Sequence, residues 1–436
     1  MGSKDLPPAL YSEQLLELAL QSGAQQAEVY QSRSLSHPVF FEANRLKQLE
    51  SSQSEGVALR LWRDGRPGLA VAYGPAETQD LVDRALAMTT LNEPELVELA
   101  EARTDRYPNL GTAMPVEALV EIGKEAIAQI RDAYPEVLCD AELECDEETT
   151  RLINSKGLDC HYTDTTLSCS LGAEWVRGED FLSVYDGQTD RGTLSSENVV
   201  QSILQRLNWA KENVSPPIGR VPVLLTAKAA DLFWDTLQAA LNGKQVLEGV
   251  SPWSDRLTQF VTSEMLTLFQ QPDTGPFSCP FDDEGTPTEP LLFIREGQLL
   301  QFYCDRTTGR LLGTGTTGSG FRPGMGSYPA PGLVNLLIQP GNGSLDHLIE
   351  QLDEGLVVDQ LLGGGADISG DFSVNVELGY RIKNGQITGR VKDTMIAGNV
   401  YSALDQLVAL GGDADWNGPC YTPSLIVEGI STTGRS

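Results

Sequence analysis

Near its C-terminus the chain reads Gly364-Gly365-Ala366-Asp367-Ile368-Ser369-Gly370-Asp371-Phe372-Ser373. This stretch belongs to a region, beginning at about residue 280, in which short strand patterns alternate with glycine turns. Two such turns are Arg295-Glu296-Gly297-Gln298 and Lys383-Asn384-Gly385-Gln386. Many short strands joined by tight turns are typical of a barrel or a sandwich. We therefore predict a strand-rich domain in this part of the chain.

The part of the chain before this region has a different pattern, in which helical and strand-like segments alternate. Ser12 is predicted to cap a first helix, and Asp64-Gly65 is a strong hairpin dipeptide. Pro216 and Pro217 mark a boundary, because neither residue can continue a helix or donate a backbone hydrogen bond. The pattern predicts an α+β protein with an N-terminal αβ domain over residues 1–214 and a strand-rich C-terminal domain over residues 220–436.

Two helices are predicted beyond the boundary. The segment from Lys228 to Glu248 is mostly helical in pattern, and Ser344 caps a short helix that carries Leu345 and Leu348.

Composition excludes several classes of function. The chain carries 61 acidic and 31 basic residues, a formal net charge of −30, and no basic run. Because affinity for duplex DNA comes largely from Lys and Arg contacts to phosphates, we expect no nucleic-acid partner. We expect no membrane partner either, because no run of roughly 18 apolar residues is present.

The cysteines and the N-terminus indicate a compartment. The seven cysteines are odd in number, are scattered and form no Cys-x-x-Cys pair. The polar N-terminus leads to no apolar segment of signal-peptide type. A reduced, cytoplasmic protein with buried thiols is the simplest interpretation.

Histidine is scarce, which limits metal and acid–base chemistry. His37, His161 and His347 lie far apart, and none has a histidine partner at helical spacing. No nucleophile elbow, phosphate loop or dinucleotide fingerprint is present. We therefore predict no catalytic residue and no metal ligand in this chain.

Three segments together resemble the TldD/TldE (PmbA) family, whose members were once called modulators of DNA gyrase and are now regarded as peptidase-related. They are the stretch quoted above, Ala397-Gly398-Asn399, and Phe281-Asp282-Asp283-Glu284-Gly285-Thr286-Pro287. The acidity of the chain gives a role at DNA no support.

The resemblance also indicates a branch of the family. In TldD-type members, the helix after the first strand of the C-terminal domain carries His-Glu-x-x-x-His, which holds zinc. The corresponding helix here, Asp231 to Ala240, contains no histidine. Asp231 and Asp235 share a face at i, i+4, but two carboxylates without imidazole or thiolate make a poor zinc site. Cys420 alone is not a site either. The chain thus looks like the TldE (PmbA) branch, with zinc expected only in a TldD-type partner.

The matching motifs supply the candidate substrate-binding residues, which are Asp282, Asp283, Glu284, Gly370, Asp371, Phe372, Ser373 and Asn399. A structural role is the alternative, since acidic side chains in turns often accept backbone N–H bonds. A paired-carboxylate acid–base site is a third interpretation.

The function that the resemblance implies is a non-catalytic, peptide-binding subunit of a TldD/TldE-type zinc metallopeptidase complex that acts in peptide proteolysis or maturation. The chain could also form a homodimer when alone, because family members share a fold. Two alternatives remain open: a self-sufficient hydrolase using the carboxylates near Asp282 and Asp371, and a non-enzymatic homodimeric scaffold.

Overall fold

The structure of the protein, a computed structural model, describes residues 8–434. Helix takes up 21% of the chain and strand 41%, and the sheets curl into half-barrels, which confirms the predicted α+β class with its excess of strand. Within the described residues, no helix combines the length and the apolar character needed to cross a bilayer.

The elements follow in chain order. The helices are α1 (Pro8–Gln21), α2 (Thr78–Thr89), α3 (Val116–Ala133), α4 (Glu197–Trp209), α5 (Asp231–Leu241), α6 (Gly243–Leu247), α7 (Arg306–Leu312), α8 (Leu345–Glu350) and α9 (Val400–Asp405). The strands of the N-terminal half are β1 (Gln26–Glu42), β2 (Arg45–Leu49), β3 (Ser52–Arg63), β4 (Arg66–Tyr73), β5 (Arg103–Arg106), β6 (Leu138–Asn154), β7 (Leu158–Arg177) and β8 (Asp180–Asp190).

The strands of the C-terminal half are shorter. They are β9 (Gly219–Arg220), β10 (Val223–Leu225), β11 (Leu268–Gln270), β12 (Leu291–Arg295), β13 (Gln298–Leu299), β14 (Gly320–Phe321), β15 (Ala330–Pro331), β16 (Leu336–Ile338), β17 (Glu354–Leu362), β18 (Asp371–Lys383), β19 (Gln386–Val391), β20 (Thr394–Asn399), β21 (Leu407–Leu410), β22 (Asp415–Asn417), β23 (Cys420–Thr422), β24 (Leu425–Val427) and β25 (Ser431–Gly434).

The strands of the N-terminal half form one eight-stranded sheet. Its order is β4-β3-β1-β6-β7-β5, with β2 paired to β1 and β8 paired to β7. The β3–β4 hairpin turns at Asp64 and Gly65, which both have positive φ (55° and 71°). That backbone explains the predicted hairpin dipeptide, because turns of this kind need two residues that tolerate positive φ.

The C-terminal half is built around two further sheets. A nine-stranded sheet runs β21-β24-β10-β17-β18-β20-β25-β9, with β19 paired to β18, and a six-stranded sheet runs β13-β12-β11-β16-β23-β22. A two-stranded sheet joins β14 and β15. The division at residues 214 and 220 remains a prediction, but the break between the eight-stranded and nine-stranded sheets lies in the same part of the chain.

The two halves share apolar core. One cluster of buried residues joins Leu143 and Leu171 of the N-terminal sheet and Ile203 of α4 to Leu378 and Tyr380 of β18. Arg206 on α4 also forms a buried ion pair with Asp359 on β17, at 3.1 Å. Apolar packing and a buried charge pair therefore fix the position of one half relative to the other.

The helix cap predicted at Ser12 is wrong. α1 begins at Pro8, so Ser12 lies inside the helix, and its buried hydroxyl donates to Gln31 Oε1 at 2.8 Å. The hydroxyl thus serves a contact between α1 and β1, which the local pattern could not reveal. The cap predicted at Ser344 is correct, because its side chain accepts from the backbone N–H of His347.

Candidate functional site

The acidic turn after Phe281 is held by backbone donors. Asp282 is fully buried, and its Oδ1 accepts the N–H groups of Glu284 (3.0 Å) and Thr286 (2.8 Å), while Oδ2 accepts that of Gly320 (2.9 Å). Burial raises the pKa of Asp282 to about 7, although these N–H groups favour the ionised form. The carboxylate of Asp282 thus fixes the shape of the turn.

The two acidic residues that follow Asp282 also accept hydrogen bonds from backbone N–H groups. Asp283 Oδ2 accepts from Arg322 N (2.7 Å), and Glu284 Oε2 accepts from Arg306 N (2.8 Å). Burial raises the pKa of Asp283 to about 6, and burial together with Asp282 raises that of Glu284 to about 8. The three side chains tie the turn to the start of α7 and to β14 with the residue that follows it, and substrate contact by them stays a prediction.

The second group of predicted residues lies at the start of β18. Asn399 on β20 is paired with Asp371, and its Nδ2 donates to Asp371 Oδ1 and to Ser369 O, both at 2.9 Å. Gly370 has φ +86°, and a Cβ there would lie 2.7 Å from the Tyr401 ring. The turn therefore requires glycine at this position.

Within this second group, accessibility differs along the strand. Phe372 is buried in the core, with its ring centroid 6.2 Å from that of Phe233, whereas Asp371 and Ser373 are exposed on the other face of β18. Among residues 8–434, no hydrogen bond or ion pair links this group to the acidic turn. Asp371 and Ser373 are accordingly the members of the group that a ligand could reach.

A large cavity lies elsewhere, between the two halves of the chain, and has a volume of about 610 Å³. Its walls come from β7, β8, α4, the segment leading into α5, and the β22–β23 hairpin. Prominent among its lining residues are Tyr185, Asp186, Lys228, Asp231, Trp416 and Asn417. None of the predicted substrate-binding residues lines it.

Two strand edges that no further strand covers border this cavity. Among the described residues, β8 pairs only with β7, and β22 pairs only with β23. The carbonyl of Phe181 accepts from Arg390 Nη1 (3.1 Å), and that of Tyr185 accepts from Gln360 Nε2 (3.1 Å). Both carbonyls therefore point away from β7 and already accept side-chain donors. By strand alternation Gly187 and Thr189 also direct backbone groups to this outer edge, where the N–H of Gly187 donates to Asp186 Oδ1.

A smaller pocket of about 230 Å³ shares Tyr185, Lys228 and Asp231 with the cavity. Asn417 Nδ2 donates to Asp231 Oδ2 at 2.5 Å. Burial, and then the charge of Asp235, raise the pKa of Asp231 to about 7. Gly364, Gly365 and Ala366, which begin the glycine-rich stretch of residues 364–373, also line this pocket.

The residues around α5 do not fit a zinc ion. Asp231 and Asp235 lie one turn apart, and the thiol of Cys420 is near enough that, after burial, both carboxylates raise its pKa. Within residues 8–434, however, no group of three or more His, Cys, Asp or Glu side chains is placed to hold a metal ion. Structural and catalytic zinc sites use about three or four protein ligands. The zinc of a TldD-type centre thus has no matching donor set in the described chain.

Several residues that line the cavity or the smaller pocket belong to no sequence motif. Tyr185 and Lys228 come from an ordinary strand and a loop, while Asp359 and Gln360 lie inside the apolar strand β17. The available signals were the i, i+4 spacing of Asp231 and Asp235 and the glycines at 364 and 365. A pair of adjacent polar residues inside the apolar run of β17 was a further signal that the sequence analysis missed.

The comparisons with known proteins agree with this architecture. The profile of the PmbA/TldA metallopeptidase C-terminal domain matches residues 218–434, and that of the PmbA/TldA metallopeptidase domain 1 matches residues 27–89. The crystal structure of TldE from Thermococcus kodakarensis superposes with a TM-score of 0.89 at 25% identity, covering 97% of this chain and 99% of that one.

Two relatives from Haemophilus influenzae represent both names of the family. Its metalloprotease PmbA homolog is 24% identical over 444 residues, covering 96% of this chain and 94% of the relative. Its metalloprotease TldD homolog is 28% identical over 243 residues, covering 54% and 48%. On its sequence motifs, its domain matches and its fold, the chain belongs to the PmbA/TldD family of metallopeptidase-related proteins.

Proposed function

We propose that the chain is a non-catalytic, peptide-binding subunit of the TldE type, which acts with a TldD-type zinc metallopeptidase. The observation that supports this most directly is the cavity between the open edges of β8 and β22. An extended peptide can add to such an edge through main-chain hydrogen bonds, which give affinity with little demand on side chains. The substrate would then be an unstructured peptide segment.

The helix α5 supports the non-catalytic part of the proposal. It contains no histidine, and its two aspartates with Cys420 form no set of metal ligands. A chain that holds neither a metal nor an activated nucleophile would lack the means to attack a peptide bond. The catalytic zinc would therefore come from the partner subunit.

The chemistry of the chain and its relatives support the proposed partner and compartment. Haemophilus influenzae has both a PmbA homolog and a TldD homolog, which is consistent with two different chains acting together. The seven cysteines are all free, as expected in a reducing compartment such as the cytoplasm.

A cleavage assay on an unstructured peptide tests the proposal. The arms are this chain alone, a TldD-type chain alone, both together, and both with a chelator. We expect efficient, chelator-sensitive cleavage only with both chains. A peptide with N-methylated backbone nitrogens should bind poorly, because it lacks the donors that strand addition requires.

Two outcomes would contradict the proposed function. Chelator-resistant cleavage by this chain alone, lost in Asp371→Ala while the fold is retained, would favour a carboxylate hydrolase. Absence of binding to any peptide, with a stable homodimer, would favour the scaffold.

We also expect the purified chain alone to form a homodimer, because family members that share a fold can substitute for one another across an interface. Light scattering at micromolar concentration is the measurement. A mass equal to the 47.3 kDa monomer would contradict this expectation.

A further inference from the structure

Two buried oxygen atoms beside α5 have no hydrogen-bond partner. Asp359 and Gln360 are adjacent on β17, and their side chains are 0% and 2% exposed. Asp359 Oδ2 and Gln360 Oε1 nevertheless make no hydrogen bond. Both residues line the 230 Å³ pocket. Since buried polar atoms are normally paired with protein or ordered water, two unsatisfied acceptors beside one pocket mark a place for a hydrogen-bond donor.

The remaining atoms of these two side chains fix their orientation. Asp359 Oδ1 accepts from Arg206 Nε (3.2 Å) and Nη2 (3.1 Å). Gln360 Nε2 donates to the carbonyl of Tyr185 at 3.1 Å. Because a carbonyl can only accept, the amide of Gln360 must turn its nitrogen to Tyr185, and its oxygen is left without a donor.

The charged side chains that line the pocket are mostly carboxylates, so they add negative charge to it. Asp231 and Asp235 contribute two more carboxylates from α5. The one cation among the residues that line the pocket, Lys228, is held by Asp186 Oδ1 (2.8 Å) and the carbonyl of Tyr185 (2.5 Å). Arg206 is committed to Asp359. Arg206 thus balances the charge of Asp359, but among the residues that line the pocket no lysine or arginine forms an ion pair with Asp231 or Asp235.

The missing donor has a defined chemistry. A metal ion is a poor candidate, since the described residues contain no group of ligands placed to hold one. The pocket is also smaller than the ~300–1,000 Å³ of typical small-molecule sites, so a single side chain suits it better than a whole ligand. An ammonium or guanidinium group supplies several donors and a positive charge in that space.

We propose that this pocket binds the ammonium or guanidinium group of a lysine or arginine side chain in a peptide that lies along the outer edge of β8. The proposal rests on the peptide-binding function above and names its preference. Tyr185 connects the two sites, because it lies on β8 and also lines the pocket. Strand addition then provides affinity for any extended segment, and the pocket selects segments with a basic residue at one position.

The test compares two fluorescent peptides of otherwise identical neutral sequence. One carries a central lysine and the other norleucine, which keeps the aliphatic chain and lacks the ammonium group. Anisotropy titrations use the full-length chain, Asp235→Asn and Gln360→Met. Glu125→Gln, which removes one exposed carboxylate from α3, is the matched control.

We expect the lysine peptide to bind about tenfold more tightly than the norleucine peptide, as for a charge-assisted hydrogen bond. This ratio should fall towards one in Asp235→Asn and Gln360→Met and persist in Glu125→Gln. Circular dichroism of each variant shows whether its fold is retained.

The experiment distinguishes failure of the cation-binding pocket from failure of the peptide-binding function. Equal binding of both peptides would leave peptide binding intact and overturn the cation pocket. If neither peptide binds, the guanidine compound agmatine is titrated instead, with saturation-transfer NMR as the readout. Agmatine binding that is lost in Asp235→Asn would retain the pocket and reject the peptide function, and no agmatine binding would overturn both.

Discussion

At the level of single residues, burial brings carboxyl pKa values close to neutrality. Asp231 beside the cavity and Asp282 in the acidic turn have pKa values of about 7, and Glu284 has a value of about 8. Burial is the main cause for each, because a carboxylate loses hydration inside the protein. The folded chain therefore binds protons near neutral pH that the unfolded chain would release.

We expect Asp231→Asn to remove part of the pH dependence of stability. The folded-state pKa of Asp231, about 7, lies above its ordinary value of 3.8. Its contribution to the free energy of unfolding is thus fully present below about pH 4 and is lost as the pH rises through about 7. Between these limits the free energy of unfolding of the wild type should fall by about 1–2 kcal/mol more than that of the variant. Because Asp231 is partly exposed to solvent, this difference is smaller than the full pKa shift would give.

Urea denaturation of both chains at the two ends of this pH range is the measurement. Asp255→Asn, at an exposed aspartate outside the cavity, should follow the wild type. Parallel pH profiles for wild type and Asp231→Asn would show that Asp231 ionises normally in the folded state.

At the level of helices and strands, α5 combines a buried face with a face that borders the pocket. Phe233, Trp234 and Leu237 are at most 1% exposed, whereas Asp231 and Asp235 line the pocket. The indole Nε1 of Trp234 donates to Thr422 Oγ1 on β23 at 2.6 Å. That bond joins the helix to the β22–β23 hairpin, which forms part of the cavity wall.

A double-mutant cycle with Trp234→Phe and Thr422→Val should give a coupling energy of about 1 kcal/mol, because each single change leaves the other polar group unpaired or less well paired. Free energies of unfolding from urea titrations supply the four values. Strict additivity would mean that the indole–hydroxyl bond does not stabilise the folded state.

We expect no stoichiometric zinc in the purified chain, because α5 carries aspartates and no histidine. Elemental analysis after gel filtration measures the zinc content. One tightly held zinc ion per chain would contradict the non-catalytic assignment.

At the level of the complete chain, the shared core couples the two halves. The cluster that contains Leu143, Ile203 and Tyr380 and the Arg206–Asp359 ion pair both cross between them. Separation would expose this apolar surface and leave a buried charge without its partner, which is costly.

The chain should therefore unfold in a single transition. Far-ultraviolet circular dichroism and tryptophan fluorescence should report the same urea midpoint, since cooperative two-state unfolding makes probes coincide. A fragment of residues 1–214 should be unstable by the same argument. Two separated transitions would instead support two independently stable domains.

The sequence by itself determined the features that depend on near neighbours. The positive φ values of Asp64 and Gly65 and the cap at Ser344 follow from local sterics and local hydrogen bonds. The α+β class and the excess of strand beyond residue 280 follow from periodicity and turn residues. The family followed from motifs that are themselves short and local.

Tertiary structure decided what depends on residues far apart in the chain. It drew Ser12 away from a cap and into a bond with Gln31. It placed the open edges of β8 and β22 on one cavity, and it left Asp359 and Gln360 with unpaired oxygens at a pocket formed by β8, α5 and β17. Packing between distant segments sets which strand edges stay open and which polar atoms lose water, and a one-dimensional pattern does not contain that information.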